Sequence, residues 1–228
     1  MSGETSVGER EDRGGRGRAL AMATALEVVL IFTGILLYIW RWQHTHPLAW
    51  LGLLASILVS HVLHGDTLRG LGLGGSGLRA SAQWVLPLAL FLYLPMLFYG
   101  VVHHRLILLR PTWYSLAALL GYGAWCIFQQ YLSQSYFNNR LFLVIRNRHV
   151  RSALVGIMFS AAHIPNLILM VATLVAGVVF AEVFARHRNI WPLALAQAVG
   201  GLLLAAVAPD AVIHHMRVGP GYFFYGIR

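Results

Sequence analysis

The sequence contains no lysine, so all 17 of its basic residues are arginine. Charged residues of both signs make up 11% of the chain, while 58% of its 228 residues are hydrophobic. An ordinary soluble domain carries roughly 25% charged residues, and its apolar share is lower. The scarcity of charge therefore excludes an ordinary soluble domain of this length and predicts a polytopic membrane protein.

Cysteine is almost as scarce, since the chain has one, Cys126, and it lies inside an apolar run. A single cysteine excludes an intrachain disulfide framework and a cysteine-rich metal site. The net charge of +9 does not indicate nucleic-acid binding, because the arginines lie at the ends of apolar segments and form no pattern with aromatic residues. We expect a lipid bilayer as a partner and no nucleic acid.

Apolar segments fill most of the chain, and a transmembrane helix needs about 20 such residues. Six segments approach that length: Leu20–Trp40, Pro47–Leu63, Ala82–Val102, Trp113–Tyr136, Leu167–Ala185 and Ile190–Val207. A seventh, Ala153–His163, is too short to face lipid along a full span and is expected to be a shielded inner helix. The fold class predicted is all-α, a polytopic transmembrane helix bundle with about seven spans.

The arginines also predict an orientation for this bundle. With the N-terminus inside, twelve arginines fall on the cytoplasmic side and five on the other, as the positive-inside rule requires. The sequence therefore predicts a multi-pass protein of the cell membrane with a cytoplasmic N-terminus. We divide it into a disordered cytoplasmic tail (1–18), N-terminal spans (19–66), a membrane core (67–208) and an interfacial C-terminal tail (209–228). The glycine-rich stretch 68–81 predicts a flexible linker or an interfacial turn.

Several polar residues interrupt the apolar segments. Gln130 and Gln134 are one helical turn apart near the end of the fourth span, beside Gln129, and Gln197 lies in the middle of the last span. His163 ends the short helix, directly before a proline-containing turn. Each such group alone costs a few kcal/mol in lipid. We therefore expect these three helices to converge around a polar-lined cavity.

The order and spacing of these residues resemble the CAAX-protease and bacteriocin-processing family of intramembrane proteases. That family has three signatures: a Glu-Glu-x-x-x-Arg helix, a Phe-x-x-x-His helix end, and a His-x-x-x-Asn/Asp helix. The second signature is intact here, as Phe159 to His163. The resemblance covers about residues 68–207 and implies a helical membrane core.

The other two signatures are altered. The first aligns with Gln129 and Gln130 in place of both glutamates and with Gln134 in place of the arginine. The third aligns with Gln197 for the histidine and Gly201 for the asparagine or aspartate. A carboxamide cannot act as a general base near neutral pH, so the glutamines keep the shape of the glutamates and lose their proton chemistry. The loss of the arginine fits the loss of the carboxylates, because an unpaired buried guanidinium is costly.

The resemblance implies two alternatives for function. In the first, the protein is a CAAX-type intramembrane peptidase that cleaves membrane-embedded peptides or proteins. It would then work with altered catalytic residues, with its activity retained or impaired. In the second, a non-catalytic relative binds a membrane peptide in the same cavity as an escort, immunity or regulatory factor. The candidate catalytic residues are Gln129, Gln130, His163 and Gln197, and the candidate substrate-binding residues are Gln134, Phe159 and Gly201.

Three further interpretations stay open. The glutamines could be polar contacts that hold the helices together. No cofactor is expected, and a divalent metal is the less favoured alternative, with His163, His214 and His215 as its most plausible ligands. The C-terminal tail could instead be a lid that places His214, His215 or Arg217 over the cavity.

Overall fold

The computed structural model describes residues 4–106 and 112–224, and within them the chain is helical with no strand. Ten α-helices follow in order: α1 Glu4–Leu37, α2 Gln43–Thr45, α3 Ala49–Leu63, α4 Leu78–Val102, α5 Trp113–Gln130, α6 Asn139–Val144, α7 Arg148–Ala161, α8 Leu167–His187, α9 Trp191–Val207 and α10 Asp210–Ile213. Two π-helical segments, Tyr38–Trp42 and Tyr131–Asn138, join α1 to α2 and α5 to α6. The all-α fold class is confirmed.

Three of these helical stretches are long and apolar enough to cross a membrane, judged by length and composition: Gly17–Thr45, Leu78–Val102 and Leu167–His187. Helices α3 and α9 are apolar but shorter. Large apolar side chains such as Phe91 and Phe98 on α4 are more than two-thirds exposed. Exposed apolar surface of this extent suits lipid contact, and the protein is a membrane protein.

The seven predicted apolar segments all fall within helices, with shifted ends. The fourth continues past its predicted end, through the π-helical segment and into α6. Helix α1 begins at Glu4 and so includes most of the segment predicted as a tail.

Helices α7 and α8 pack most closely, and two glycines allow it. A Cβ added to Gly177 would lie 2.8 Å from the Cα of Gly156. A Cβ added to Gly156 would lie 2.9 Å from the carbonyl oxygen of Leu174. Because no side chain separates the two helices here, their backbones approach each other directly. This crossing fixes the position of the loop that follows α7.

The glycine-rich stretch after α3 is held in place by other parts of the chain. The carbonyl oxygens of Gly74 and Ser76 accept hydrogen bonds from Asn189 at 2.8 and 3.1 Å, and that of Leu71 accepts one from Ser135 at 2.5 Å. Gly77 has a φ of +74°, and a Cβ there would collide with the carbonyl oxygen of His187. A flexible linker is therefore not what this stretch forms.

A buried group of ionisable side chains joins α1, α3 and α6. Arg140, 1% exposed, donates to Asp66 at 2.7 Å and to Ser60 at 2.9 Å, and its Nε lies 3.4 Å from Glu27. His61 Nδ1 lies 2.7 Å from the same Asp66 oxygen. We call these five residues the charged cluster. Glu27 thus lies beside the buried guanidinium of Arg140.

Candidate functional site

The π-helical segment and the end of α5 supply one side of the site. Gln130, Gln134 and Asn138 follow at intervals of four, so they lie along one side of this continuous helix. Gln130 and Gln134 are both 0% exposed, and Asn138 is 3% exposed. Gln134 donates to Gln130 Oε1 at 3.4 Å, and Asn138 donates to Gln134 Oε1 at 3.0 Å. Each amide thus satisfies the next one along the helix.

Helix α9 supplies the opposite side. Gln197 Oε1 accepts a 2.6 Å hydrogen bond from Gln130 Nε2. The other half of the Gln197 amide, Nε2, donates to Gln129 Oε1. The structure therefore brings Gln129, Gln130, Gln134 and Gln197 into direct contact, across helices that are 67 residues apart in sequence.

Arg151 on α7 ends this series of amides. Its Nε donates to Asn138 Oδ1 at 2.9 Å, and the side chain is 5% exposed. The series runs Arg151, Asn138, Gln134, Gln130, Gln197 and Gln129, with each residue donating to the next. We call its five amide residues the amide chain.

A large cavity adjoins one end of the amide chain. Its volume is about 1090 Å³, and apolar side chains from α1, α3, α4, α5, α7, α8 and α9 make up most of its lining. Gln129 and Gln197 line it, whereas Gln130, Gln134 and Asn138 do not. None of its lining residues in the described part of the chain is Arg, Asp or Glu. The cavity is therefore apolar and uncharged, with a few polar groups on its wall.

His163, just after α7, also lines this cavity. Its Nδ1 lies 2.7 Å from the carbonyl oxygen of Phe159, which can only accept a hydrogen bond, so Nδ1 carries the proton. In the neutral ring, Nε2 is then the nitrogen with the free lone pair. The Phe159 ring meets the imidazole edge to face, with ring centroids 5.1 Å apart. Phe159 thus fixes both the tautomer and the ring orientation of His163.

Steric contact explains why a glycine stands at position 201, in the third altered signature. A Cβ added there would overlap the hydroxyl oxygen of Tyr122, and one added to the preceding Gly200 would lie 2.5 Å from that of Tyr93. Both tyrosines and both glycines line the cavity. The space that a larger side chain at position 201 would need is therefore occupied by the Tyr122 hydroxyl.

The C-terminal segment covers part of the cavity. Asn166, 0% exposed, donates to the carbonyl oxygens of Ile213 at 2.8 Å and Arg217 at 3.1 Å. Gly219 N donates to Ile164 O at 2.8 Å, so the segment is tied to the turn that carries His163. Met216 and Val218 line the cavity, while His214, His215 and Arg217 are not among its lining residues.

The described residues include no group of three or more histidine, cysteine, aspartate or glutamate side chains arranged to hold a metal ion. The proposed ligand set of His163, His214 and His215 is thus not assembled in the part of the chain that the structure describes. The predicted site roles of the glutamines and of His163, Phe159 and Gly201 stay predictions.

Sequence reasoning missed Asn138, Arg151 and Tyr122. The repetition of amides at Gln130, Gln134 and Asn138, four residues apart, was the available signal for the first. Arg151 stands close to Arg146 and Arg148 in the sequence, and nothing in its neighbours distinguishes a buried guanidinium from an interfacial one. Tyr122 depends on its contact with Gly201, which only the helix packing creates.

Comparison with known proteins gives one family match. Residues 111–203 match the family described as type II CAAX prenyl endopeptidase Rce1-like. This region contains α5 through most of α9, and with them every residue of the amide chain and His163. No curated protein and no solved structure matches the chain.

Proposed function

Because residues 111–203 match the family described as type II CAAX prenyl endopeptidase Rce1-like, we propose that this protein is an intramembrane peptidase. It cleaves an apolar, membrane-embedded peptide segment in the cavity between its helices. The observation that carries the proposal is the fixed tautomer of His163, whose ring lines the same cavity as Gln129 and Gln197.

His163 supplies the base in this proposal. Nε2 takes a proton from a water molecule as the water oxygen attacks the carbonyl carbon of the scissile peptide bond. The resulting imidazolium stays hydrogen-bonded to the Phe159 carbonyl through Nδ1. It then gives a proton to the leaving amine nitrogen, so that one peptide and one water become an acid and an amine. No carboxylate is needed for these transfers.

The amide of Gln129 supplies the donor for the developing oxyanion. Its oxygen is already bonded to Gln197, which leaves its N–H groups for a ligand. An oriented donor in a water-poor cavity stabilises a developing negative charge more than the same donor does in water. Phe159 and Gly201 have positioning roles, the first on His163 and the second through the space that it leaves for Tyr122. Gln130, Gln134 and Gln197 hold Gln129.

We further propose that the chain crosses the cell membrane several times with a cytoplasmic N-terminus. The arginine distribution supports this orientation. Arg140 and Arg151 are buried side chains and not loop residues, which reduces the cytoplasmic count from twelve to ten against five. The excess of arginines on the predicted cytoplasmic side therefore remains.

A second candidate function is binding without turnover. It is favoured by the amides themselves, because both halves of the Gln130 and Gln197 amides are bonded to other amides of the chain. Amides whose donors and acceptors are already hydrogen-bonded are better suited to binding a peptide than to catalysing its hydrolysis. In that case the cavity would serve an escort, immunity or regulatory protein.

The test compares new protein termini in membranes of cells that carry the wild-type protein, His163→Ala or His149→Ala at matched expression. His149 is on the same helix as the Phe159 carbonyl, but its side chain is 73% exposed, so it controls for loss of an imidazole. Termini that vanish with His163→Ala and persist with His149→Ala support hydrolysis. Purified protein in lipid vesicles then separates direct cleavage from cleavage by a partner. Identical termini in all three, with the variants folded, remove the peptidase and leave the binding protein.

A further inference from the structure

The amide chain has a direction. Five consecutive hydrogen bonds, Arg151 to Asn138, Asn138 to Gln134, Gln134 to Gln130, Gln130 to Gln197 and Gln197 to Gln129, all donate the same way. The first begins at a buried cation and the last ends at a residue of the cavity wall. A series of this kind is cooperative, since each bond polarises the next.

Arg151 sets that direction. A carboxamide can turn over and exchange its donor and acceptor halves, but a guanidinium has donors and no acceptor. Asn138 must therefore present its oxygen to Arg151 Nε, at 2.9 Å, and its nitrogen to Gln134. The carbonyl oxygen of Ala181, which also accepts from this nitrogen at 3.3 Å, supports the same orientation. Each following amide is fixed in turn by the one before it. The orientation of Gln129 in the cavity is thus decided by a charge five hydrogen bonds away.

The consequence for the cavity is that the amide on its wall, that of Gln129, offers hydrogen-bond donors to a ligand. Gln129 Oε1 is occupied by Gln197, so the N–H groups of Gln129 are the half left for a ligand. A ligand for this end must accept hydrogen bonds. It is also expected to be neutral, because none of the described lining residues is Arg, Asp or Glu, and an ion would lose its hydration without gaining a counter-charge.

We propose that Asn138 and Arg151 are positioning residues that orient the amide chain so that Gln129 binds the carbonyl oxygen of an uncharged, apolar ligand. The inference rests on the proposed function in that a peptide carbonyl is the ligand of the cavity. It adds the residues that decide the polarity of the site, and neither of them lines the cavity.

Asn138→Asp tests the direction without touching the cavity. A carboxylate at position 138 still accepts from Arg151 but cannot donate to Gln134. The amide of Gln134 must then turn to donate to position 138, and Gln130, Gln197 and Gln129 must turn after it. Gln129 would present its oxygen to the cavity in place of its N–H groups. Gln134→Glu is a second inverting variant. A carboxylate at position 134 cannot donate to Gln130, so Gln130, Gln197 and Gln129 must turn in the same way.

Arg151→Lys is the matched control, because an ammonium also donates and never accepts. The probe is dodecan-2-one with a ¹³C-labelled carbonyl, which is a neutral acceptor with an apolar tail. It is titrated into full-length protein in lipid nanodiscs, and the labelled carbonyl band is followed by infrared difference spectroscopy. A hydrogen-bonded carbonyl absorbs at a lower frequency than one in lipid, so the band position reports the bond itself.

Wild-type protein and Arg151→Lys are expected to give a saturable, down-shifted band. Asn138→Asp and Gln134→Glu are expected to lose the shift and to bind the ketone about five- to tenfold more weakly, the value of one hydrogen bond. The proposal is overturned by the absence of a shifted band in wild-type protein, by its loss in folded Arg151→Lys, or by its persistence in either folded inverting variant.

These outcomes are separate from those for hydrolysis. A shifted band in a protein whose membranes show no His163-dependent termini would keep the carbonyl site and remove the peptidase. His163-dependent termini without a shifted band would keep the peptidase and remove the oriented chain.

Discussion

The molecule buries two polar groups of residues that handle charge in opposite ways. The charged cluster places two carboxylates around Arg140, and it lies away from the cavity. The amide chain has neutral groups along its length and reaches the cavity wall through Gln129 and Gln197. Arg151, the charged residue that donates to it, bonds to the end far from the cavity. The carboxylates are thus kept around Arg140, and neutral amides are placed on the cavity wall.

The difference follows from the cost of desolvation. A buried ion needs a partner of opposite sign and good hydrogen bonds, and a ligand site cannot guarantee both when it is empty. Amides lose less when they leave water, and they can satisfy one another. The amide chain therefore remains stable without a ligand. A pair of carboxylates at positions 129 and 130 would not be stable there unless a cation lay nearby. Substitutions that exchange or remove the features of the two groups therefore test this difference.

Removing the central cation should have the largest effect. Arg140→Met leaves Glu27 and Asp66 without their guanidinium, and loss of one partner of a buried pair costs about 3–5 kcal/mol. We expect the free energy of unfolding in detergent to fall by that amount. Arg69→Met, at an exposed arginine of the nearby loop, is the matched control and should change stability by less than about 0.5 kcal/mol. Equal effects of the two substitutions would contradict the assignment of Arg140.

Introducing a charge into the amide chain should come next. In Gln130→Glu, a carboxylate can no longer donate to Gln197, and the described hydrogen-bond partners of position 130 are both amides. We expect a loss of about 2–3 kcal/mol at neutral pH, since a buried group is left unsatisfied and charged. The loss should be smaller near pH 5, where a protonated carboxyl can donate again. The measurement is the free energy of unfolding at both pH values.

The reciprocal substitution, Glu27→Gln, sharpens the comparison. A glutamine oxygen can still accept from Ser60 and Tyr136, which bond to Glu27 at 2.5 and 2.7 Å, and Arg140 keeps Asp66. We therefore expect a smaller loss than for Gln130→Glu under the same conditions. A larger loss for Glu27→Gln would show that the charged cluster tolerates neutral groups less well than the amide chain tolerates a charge.

Increased cleavage with Gln130→Glu would show that the scaffold still positions a scissile bond.

The sequence predicts the helices well because long apolar runs leave few other structures in lipid. It also predicts that the helices carrying Gln130 and Gln197 meet, since isolated polar groups are costly in lipid. It does not predict which arginine is buried. Arg140 and Arg151 stand among loop arginines in the sequence, and their burial depends on how α6 and α7 pack.

The direction of the amide chain lies beyond sequence reasoning for a related reason. Glutamine and asparagine have the same donors and acceptors in either orientation, so the pattern of residues is silent on which half faces the cavity. The direction comes from Arg151, thirteen residues after Asn138 and on another helix. Likewise, a glycine at position 201 has meaning only beside Tyr122.

Filling Gly201 tests that steric relation. Gly201→Ala would force the Tyr122 hydroxyl to move, and overpacking of this kind costs about 1–3 kcal/mol. Tyr122→Phe removes the oxygen that the new methyl group meets. The double variant should therefore be destabilised by less than the sum of the two single variants, and a double-mutant cycle on unfolding free energies measures the difference. Additive losses would mean that the two residues do not contact each other as described.

The smallest expected effect concerns the pH dependence of the charged cluster. Burial raises the pKa of Asp66, but its hydrogen bonds to Arg140 and His61 outweigh burial and hold the pKa below its ordinary value of 3.8. Because the folded pKa is depressed, the stabilisation is present above about pH 4 and is lost as the pH falls through the folded value. Unfolding of Asp66→Asn should lack this acid-side loss, while wild-type protein shows it. The amide chain has no ionisable carboxyl, so replacing Gln134 by methionine should leave the acid-side loss of stability as large as in wild-type protein.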